Sequence, residues 1–264
     1  MNISDNRPIA FFDSGVGGLT VFAKVKKLLP NENYLYFGDT KNMPYGEKTE
    51  AQLIDFADRI FKFFESQNAK AVVMACNTTS AITYEKLKNN YNFKIYPIIQ
   101  SVCSTLSKLP DTNSLGIIAT PATINSHTYL KEISKYNPNM KVYELAAPNW
   151  VRIVEEHRIN QPQSMLQIQE ILEEMGKYNP DKIVLACTHY PYLLNVLKRF
   201  LPEEKFIDPS LYFAQNIKNN LEQNNLLGNK HEFEKFFVSS DPQNFKIASE
   251  LFYKLKALPE LKNV

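Results

Sequence analysis

The sequence predicts an α/β fold of two similar Rossmann-like domains, each with a mostly parallel sheet. Apolar segments of strand length alternate with segments of helical periodicity along the 264 residues, and this alternation is typical of parallel strands joined by helices. Two apolar segments, 71–78 and 183–189, are nearly alike, since each contains a cysteine followed by hydroxyl, amide or imidazole side chains. A hydroxyl-bearing turn precedes each of them, at Asp13-Ser14 and at Thr120-Pro121. This near-repeat predicts two domains related by pseudo-symmetry.

The apolar patterns predict the elements in chain order. Apolar residues at helical spacing begin at Leu19, after the first strand, and stop at Pro30. Thr49 and Gln52 are spaced as the capping box of the next helix. The predicted strands cover residues 9–12, 34–37, a segment that ends at Cys76, 95–99, 115–119, 142–145, 183–186 and 233–238.

Charge and apolar content narrow the functional classes. Lys and Arg number 30 against 28 Asp and Glu, so the net charge of +2 does not predict a nucleic-acid partner. No apolar run approaches the ~20 residues of a membrane span, and segment 9–12 is too short for a signal peptide, which predicts a cytoplasmic protein. Cys76, Cys103 and Cys187 do not form a disulfide framework, and we expect them to be thiols.

The near-repeat also predicts the domain boundaries and a shared cleft. We expect a first domain of residues 1–97 plus 208–264, which carries Asp13 and Cys76, and a second domain of residues 98–207, which carries Cys187 and His189. Ligand sites of α/β sheets lie beyond the carboxyl ends of the strands, so both thiols would face one active-site cleft. Two identical acid/base groups on opposite sides of a carbon suit racemisation or epimerisation, because the proton leaves one face and returns to the other.

Five segments occur in a fixed order along the chain. They are 13–21 (DSGVGGLTV), 38–40 (GDT), 44–46 (PYG), 75–78 (ACNT) and 186–191 (ACTHYP). Together they resemble the motifs of the glutamate racemases, in the cofactor-independent aspartate/glutamate racemase superfamily. The resemblance extends from Ile9 to about Lys254 and includes the segment 237–242 (FVSSDP).

The resemblance implies an activity and a set of site residues. It implies interconversion of L- and D-glutamate, supplying D-glutamate for peptidoglycan, by a homodimer that uses neither metal nor pyridoxal phosphate. Cys76 and Cys187 would be the acid/base pair, with Asp13, His189 and Glu155 as their helpers. The residues implied to contact the substrate are Asp13, Ser14, Tyr45, Gly46, Asn77, Thr78, Thr120, Thr123, Thr188 and His189.

Elementary chemistry supports these roles and adds two expectations. A helix N-terminus raises the thiolate fraction of a cysteine, and each of the two cysteines precedes a predicted helix. None of the matched turns presents Arg or Lys, so we expect hydroxyl and backbone N–H groups to bind the substrate carboxylates.

Other interpretations of the same residues stay open. Cys103 has no strand-end context and is expected to be a core residue. A zinc site of Cys76, Cys187 and His189 would lack the close ligand pairs of common sites. Gly15, Gly17 and Gly18 do not have the spacing of a dinucleotide fingerprint, because no third glycine lies at the required distance. The function itself has two alternatives, which are a racemase of aspartate or a hydantoin, and an amino-acid-binding or regulatory protein without the chemistry.

Overall fold

The computed structural model describes residues 4–264, which form strands and helices in alternation. The strands are β1 (Ile9–Asp13), β2 (Tyr34–Gly38), β3 (Ala71–Met74), β4 (Lys94–Pro97), β5 (Ser114–Ala119), β6 (Lys141–Ala146), β7 (Lys182–Leu185), β8 (Phe206–Ile207), β9 (Glu234–Val238) and β10 (Glu260–Leu261). The α-helices are α1 (Leu19–Leu28), α2 (Glu50–Ser66), α3 (Asn77–Leu87), α4 (Ile98–Leu106), α5 (Pro121–Ser126), α6 (Thr128–Tyr136), α7 (Trp150–Glu155), α8 (Pro162–Gly176), α9 (Leu194–Leu197), α10 (Pro209–Gln223) and α11 (Pro242–Ser249).

Two parallel sheets form the centres of two domains, which confirms the predicted fold class. One sheet has the strand order β10-β9-β2-β1-β3-β4 and the other has the order β6-β5-β7-β8. In each sheet the first strand of the half, β1 or β5, pairs with the next two strands of its own half. The orders β2-β1-β3 and β6-β5-β7 therefore correspond, and each cysteine follows the equivalent strand.

The C-terminal segment adds strands to the first sheet. β9 pairs with β2, and β10 pairs with β9, whereas β8 ends at Ile207 in the second sheet. These memberships support the domain division 1–97 plus 208–264 against 98–207, which stays a prediction. Over residues 4–264, no helix has both the length and the apolar character needed to cross a membrane.

One predicted strand was too long. The segment 95–99 was expected to be extended, but β4 ends at Pro97 and α4 begins at Ile98. Ile98 and Ile99 are buried on the helix together with Val102. A short apolar run has the same appearance in a buried strand and in a buried helix, so periodicity could not separate the two.

The predicted capping box at the start of α2 is confirmed. Thr49 Oγ1 accepts a hydrogen bond from the backbone N–H of Gln52, and the Gln52 side chain accepts one from the backbone N–H of Thr49. Leu53, Ile60 and Phe64 are fully buried on one face of this helix. Burial of each such side chain contributes roughly 1.5–3 kcal/mol, which holds α2 against the first sheet.

A buried ion pair lies at the amino ends of the first sheet's strands. Lys70, just before β3, places Nζ 2.5 Å from Glu32 Oε2, just before β2, and the two side chains are 0% and 1% exposed. Lys70 Nζ also donates to the carbonyl oxygens of Asp5 and Leu226, at 2.5 and 2.7 Å. Glu32 Oε1 accepts from the backbone N–H of Gly228 at 2.7 Å. The pair therefore joins the N-terminal segment, two strands and the segment before β9.

Replacement of Lys70 tests how much this pair stabilises the fold. Lys70→Met would leave the carboxylate of Glu32 buried without its cation, and we expect the free energy of unfolding in urea to fall by about 3–5 kcal/mol. The matched control is Lys88→Met, because Lys88 pairs with Glu85 on the surface and its loss should change stability little. Equal urea midpoints for Lys70→Met and Lys88→Met would contradict the claim that the buried Lys70–Glu32 pair stabilises the fold.

Candidate active site

A cavity of about 320 Å³ lies between the two domains, beyond the carboxyl ends of the strands. Its volume is in the range of small-molecule sites. Both Cys76 and Cys187 line it. The other predicted site residues that line it are Ser14, Tyr45, Gly46, Asn77, Thr78, Thr120, Glu155, Thr188 and His189. Asp13 and Thr123 do not line the cavity, and each lies directly behind a residue that does.

The two cysteines have different local structures. Cys76 follows β3 by two residues and is the N-cap of α3, so the predicted helix N-terminus is present there. Cys187 follows β7 by two residues, but a turn and the short 3-10 helix Tyr190–Leu193 come next. The expectation of a helix N-terminus at both cysteines was therefore wrong at Cys187.

The helix N-terminus does not make Cys76 acidic. Burial raises the pKa of the Cys76 thiol to about 11, and the negative charge of Asp13 adds to the increase. Hydrogen bonds from Thr79 favour the thiolate but do not compensate for burial. At neutral pH Cys76 is consequently a protonated thiol, contrary to the increased thiolate fraction expected from the sequence.

Asp13 is a fully buried carboxyl group behind Cys76. Burial raises its pKa to about 6, although the charge of His189 and the backbone N–H groups of Gly15 and Gly18 oppose this. The Gly15 N–H donates to Asp13 Oδ1 at 2.9 Å. Oδ2 has no hydrogen-bond partner within residues 4–264. Asp13 is therefore an anion above about pH 6, with one oxygen available to accept a proton.

Cys187 belongs to a chain of three side chains. Its Sγ lies 3.8 Å from His189 Nδ1, and His189 Nε2 lies 2.8 Å from Glu155 Oε1. Burial lowers the pKa of His189, but the contacts with Cys187 and Glu155 outweigh it and hold that pKa well above the usual value. The imidazole of His189 therefore lies next to the Cys187 thiol, and Glu155 stabilises the charged form of that imidazole.

Close contact between the domains holds His189 in place. A Cβ built at Gly17 would lie 2.4 Å from Thr188 Oγ1 and 2.5 Å from His189 Cε1, so only glycine allows this approach. Thr20 Oγ1 of α1 donates to the carbonyl oxygen of Thr188 at 3.0 Å. The ring of Phe252 packs edge-on against the His189 ring at 5.7 Å. The domain contact therefore forms one wall of the cavity.

A second part of the cavity lining, here called the polar wall, consists of hydroxyl and amide groups. Thr78, Thr120 and Thr123 form a triangle in which their Oγ1 atoms are 2.9, 3.1 and 3.3 Å apart. Tyr129 OH donates to Asn77 Oδ1 at 2.8 Å. Asn77 Nδ2 has no hydrogen-bond partner in the part of the chain that the structure describes. Hydroxyl and side-chain amide groups are thus available in this part of the lining, while their contact with substrate carboxylates stays a prediction.

The arginine of the cavity was missed by sequence reasoning, as were several of its other lining residues. Arg152 of α7 lines the cavity, and its guanidinium lies 3.1 Å from Glu47 Oε1 of the first domain. The sequence analysis considered only the matched turns, and this cation comes from a helix outside them. Arg152 precedes Glu155 by three residues, and i,i+3 positions share a helix face, so that spacing could have indicated it.

Two further interpretations can be compared with the structure. Cys103 is fully buried in α4 and does not line the cavity, as expected for a core residue. Among residues 4–264, no three His, Cys, Asp or Glu side chains are grouped as metal ligands. This gives no support to the zinc-site interpretation of Cys76, Cys187 and His189.

Comparisons with known proteins agree with this geometry. The profile of the Asp/Glu/Hydantoin racemase family matches residues 18–215. The glutamate racemase 2 of Caldanaerobacter subterraneus subsp. tengcongensis is 38% identical over 250 residues, covering 94% of this chain and 93% of that protein. The glutamate racemase of Thermoanaerobacter pseudethanolicus is 36% identical over 249 residues, with the same coverage. The crystal structure of the Francisella tularensis glutamate racemase in complex with D-glutamate is similar with a TM-score of 0.90, at 35% identity, covering 98% of each chain.

The raised pKa of Asp13 predicts a gain of stability on replacement. The folded protein holds this proton to a higher pH than the unfolded chain does, so stability is lost as pH rises from 3.8 towards about 6. Asp13→Asn should therefore increase the free energy of unfolding at neutral pH by up to about 3 kcal/mol, and it should remove this pH dependence.

Urea titrations at a series of pH values measure both effects. The control is Asp181→Asn, because hydrogen bonds from Asn113 and Ser114 lower the pKa of Asp181, and its replacement should cost stability instead. If Asp13→Asn were less stable than the wild type at neutral pH, the buried charge of Asp13 would not be what lowers the free energy of unfolding.

Proposed function

The chain belongs to the Asp/Glu/Hydantoin racemase family and is a racemase, and we propose that it interconverts L- and D-glutamate with two cysteines as the acid and the base. The observation that carries this proposal is the position of Cys76 and Cys187, which come from different domains and line one cavity. The names of the relatives and the D-glutamate complex of the similar Francisella structure support the choice of substrate. Three finer inferences, which are peptidoglycan supply, a cytoplasmic location and a homodimer, belong to the same proposal and rest on the resemblance of the sequence motifs alone.

Removal of the α-proton in one direction begins at Cys187. Its thiol proton moves to His189, whose charged form is stabilised by Glu155 and whose pKa is raised. The resulting thiolate takes the α-proton from one enantiomer and leaves an electron pair on the α-carbon. Proton transfer of this kind contributes about 10²- to 10⁴-fold to a rate, and it needs the base within contact of the carbon.

Return of a proton to the opposite face begins at Cys76. This thiol is protonated at neutral pH because burial and the charge of Asp13 raise its pKa to about 11. It donates its proton to the α-carbon and becomes a thiolate. In the reverse direction this thiolate is the base, and Asp13, with its unpartnered Oδ2, accepts the Cys76 proton beforehand.

The polar wall would hold the two carboxylates of glutamate. Asn77 and the hydroxyl groups of Thr78 and Thr120 line the cavity and would donate to the substrate, while Thr123 holds the two hydroxyl groups from behind. The charged His189 offsets the anions Asp13 and Glu155, which would otherwise repel the substrate. Hydrogen bonds to charged groups contribute roughly 1.5–3 kcal/mol each, enough for a small amino acid with two carboxylates to bind in a cavity of this size.

Loss of either cysteine tests the chemistry. Cys76→Ala and Cys187→Ala should each reduce racemisation of L- and D-glutamate by at least about 10³-fold, because each direction needs one acid and one base. The measurement is circular dichroism of the glutamate, together with deuterium incorporation at the α-carbon in D₂O. Cys103→Ala is the control and should leave the rate near that of the wild type.

A substrate panel separates glutamate from the other candidates. Wild-type protein that racemises only aspartate or a hydantoin would replace the substrate in the proposal. Full racemisation by either single-cysteine variant would contradict the two-cysteine mechanism itself.

The different partners of the two cysteines predict opposite isotope effects. The enantiomers have equal free energy in water, so kcat/KM is the same in both directions for every variant. A difference between the Cys76 and Cys187 steps must therefore be measured by isotope effects. Asp13→Asn should slow proton transfer to and from Cys76. It should therefore increase the primary deuterium isotope effect for one enantiomer of α-deuterated glutamate and reduce it for the other. Glu155→Gln should slow proton transfer to and from Cys187, and it should change the two isotope effects in the opposite sense. Equal changes for both enantiomers would show that neither residue serves one particular cysteine.

A further inference from the structure

Asp39 is a buried carboxyl group with no role so far in the site. It follows β2 directly, within the segment 38–40, and is 2% exposed. Its Oδ2 accepts a hydrogen bond from Tyr45 OH at 2.5 Å, and Asn42 Nδ2 donates to both carboxyl oxygens, at 2.9 and 3.1 Å. Its backbone N–H donates to the carbonyl oxygen of Asp13 at 3.0 Å. Asp39 does not line the cavity, so it can act there only through these neighbours.

Tyr45 carries the connection to the cavity. It begins the short 3-10 helix Tyr45–Glu47, and both Tyr45 and Gly46 line the cavity. Its ring packs against Phe12 and Phe56, with centroids 6.2 and 5.9 Å away. Burial, and then the charge of Asp39, raise the pKa of the Tyr45 hydroxyl well above its usual value, which keeps it a donor. Ring packing and the hydroxyl hydrogen bond therefore both hold the Tyr45-Gly46 turn in place.

The C-terminal segment holds the chain that leads to this turn. Thr40 Oγ1 donates to the carbonyl oxygen of Ser240 at 2.7 Å, and the backbone N–H of Ser240 donates back to Thr40 Oγ1 at 3.1 Å. Ser239 Oγ accepts from the backbone N–H of Lys41 at 2.9 Å. Residues 39–41 are therefore held against the first sheet, and Asp39 has a fixed position from which it accepts the Tyr45 hydrogen bond.

We propose that Asp39 is a positioning residue for the substrate, which it serves by holding the Tyr45-Gly46 turn through the Tyr45 hydroxyl. This inference rests on the proposed glutamate racemase function. Gly46 faces Thr120 of the second domain, since a Cβ built there would lie 3.6 Å from Thr120 Cβ. A rotated turn would change the width of the cavity at this point. Asp39 would therefore affect substrate binding more than proton transfer.

The test compares Asp39→Asn, Tyr45→Phe and the double variant. Tyr45→Phe removes only the hydroxyl and keeps the ring against Phe12 and Phe56. Each single variant should raise KM for glutamate about 10- to 100-fold, the usual value of a hydrogen bond to a charged group, with a smaller change in kcat. Since both changes break the same contact, the double variant should be no worse than the worse single variant.

Two controls separate positioning from general stability. Asp181→Asn removes a carboxyl group that also holds a loop by three hydrogen bonds, and Tyr34→Phe removes a buried hydroxyl that donates to Leu29 O at 2.5 Å. Both lie at the amino ends of strands, away from the cavity. They should lower the melting temperature without raising KM.

The outcomes distinguish this inference from the proposed function. Wild-type protein that does not racemise glutamate contradicts the proposed function, whatever the variants do. Active wild-type protein together with an unchanged KM in Tyr45→Phe overturns the positioning role alone, as do additive effects in the double variant. If Asp39→Asn does not fold, the KM of Tyr45→Phe alone decides. The increase in melting temperature that D-glutamate causes gives a second measure of how well this variant binds D-glutamate.

Discussion

The close approach of the two domains at Gly17 is the constraint on which the cavity depends. Because no Cβ separates α1 from the Cys187 turn, Thr188 and His189 contact the first domain directly. That contact excludes water from Asp13 and His189, and burial is the main reason that the pKa of Asp13 lies near 6. The charges of the site are thus consequences of domain packing, since a more open interface would return each group towards its ordinary pKa.

Similar backbones in the two halves carry different chemistry. The strand orders correspond, yet Cys76 caps a helix and lies before a buried carboxylate, whereas Cys187 adjoins the imidazole of His189. A pseudo-symmetric fold can therefore present the same thiol from two sides while each thiol has different neighbouring side chains. This asymmetry suits a reaction in which one thiol must hold a proton at the moment when the other has none.

Stability and chemistry are separated along the strands. The buried pair of Lys70 and Glu32 lies at the amino ends of the first sheet, and Asp181 holds the corresponding end of the second sheet through Asn113 and Ser114. At the carboxyl ends lies the buried carboxyl group of Asp13, whose pKa is raised to about 6 and whose Oδ2 has no partner within residues 4–264. Functional sites commonly retain such unfavourable groups at a cost in stability that the rest of the fold offsets.

The sequence by itself determined the α/β class, the near-repeat, the capping box at Thr49 and the positions of Cys76 and Cys187 after buried strands, because each depends on residues that are close in the chain. Only the tertiary structure decided that Cys76 is a protonated thiol, that Asp13 lies behind the cavity and that Arg152 lines it. These properties depend on burial and on contacts between residues far apart in sequence, such as Arg152 with Glu47. Local periodicity carries no information about such contacts, which is also why the start of α4 at Ile98 was missed.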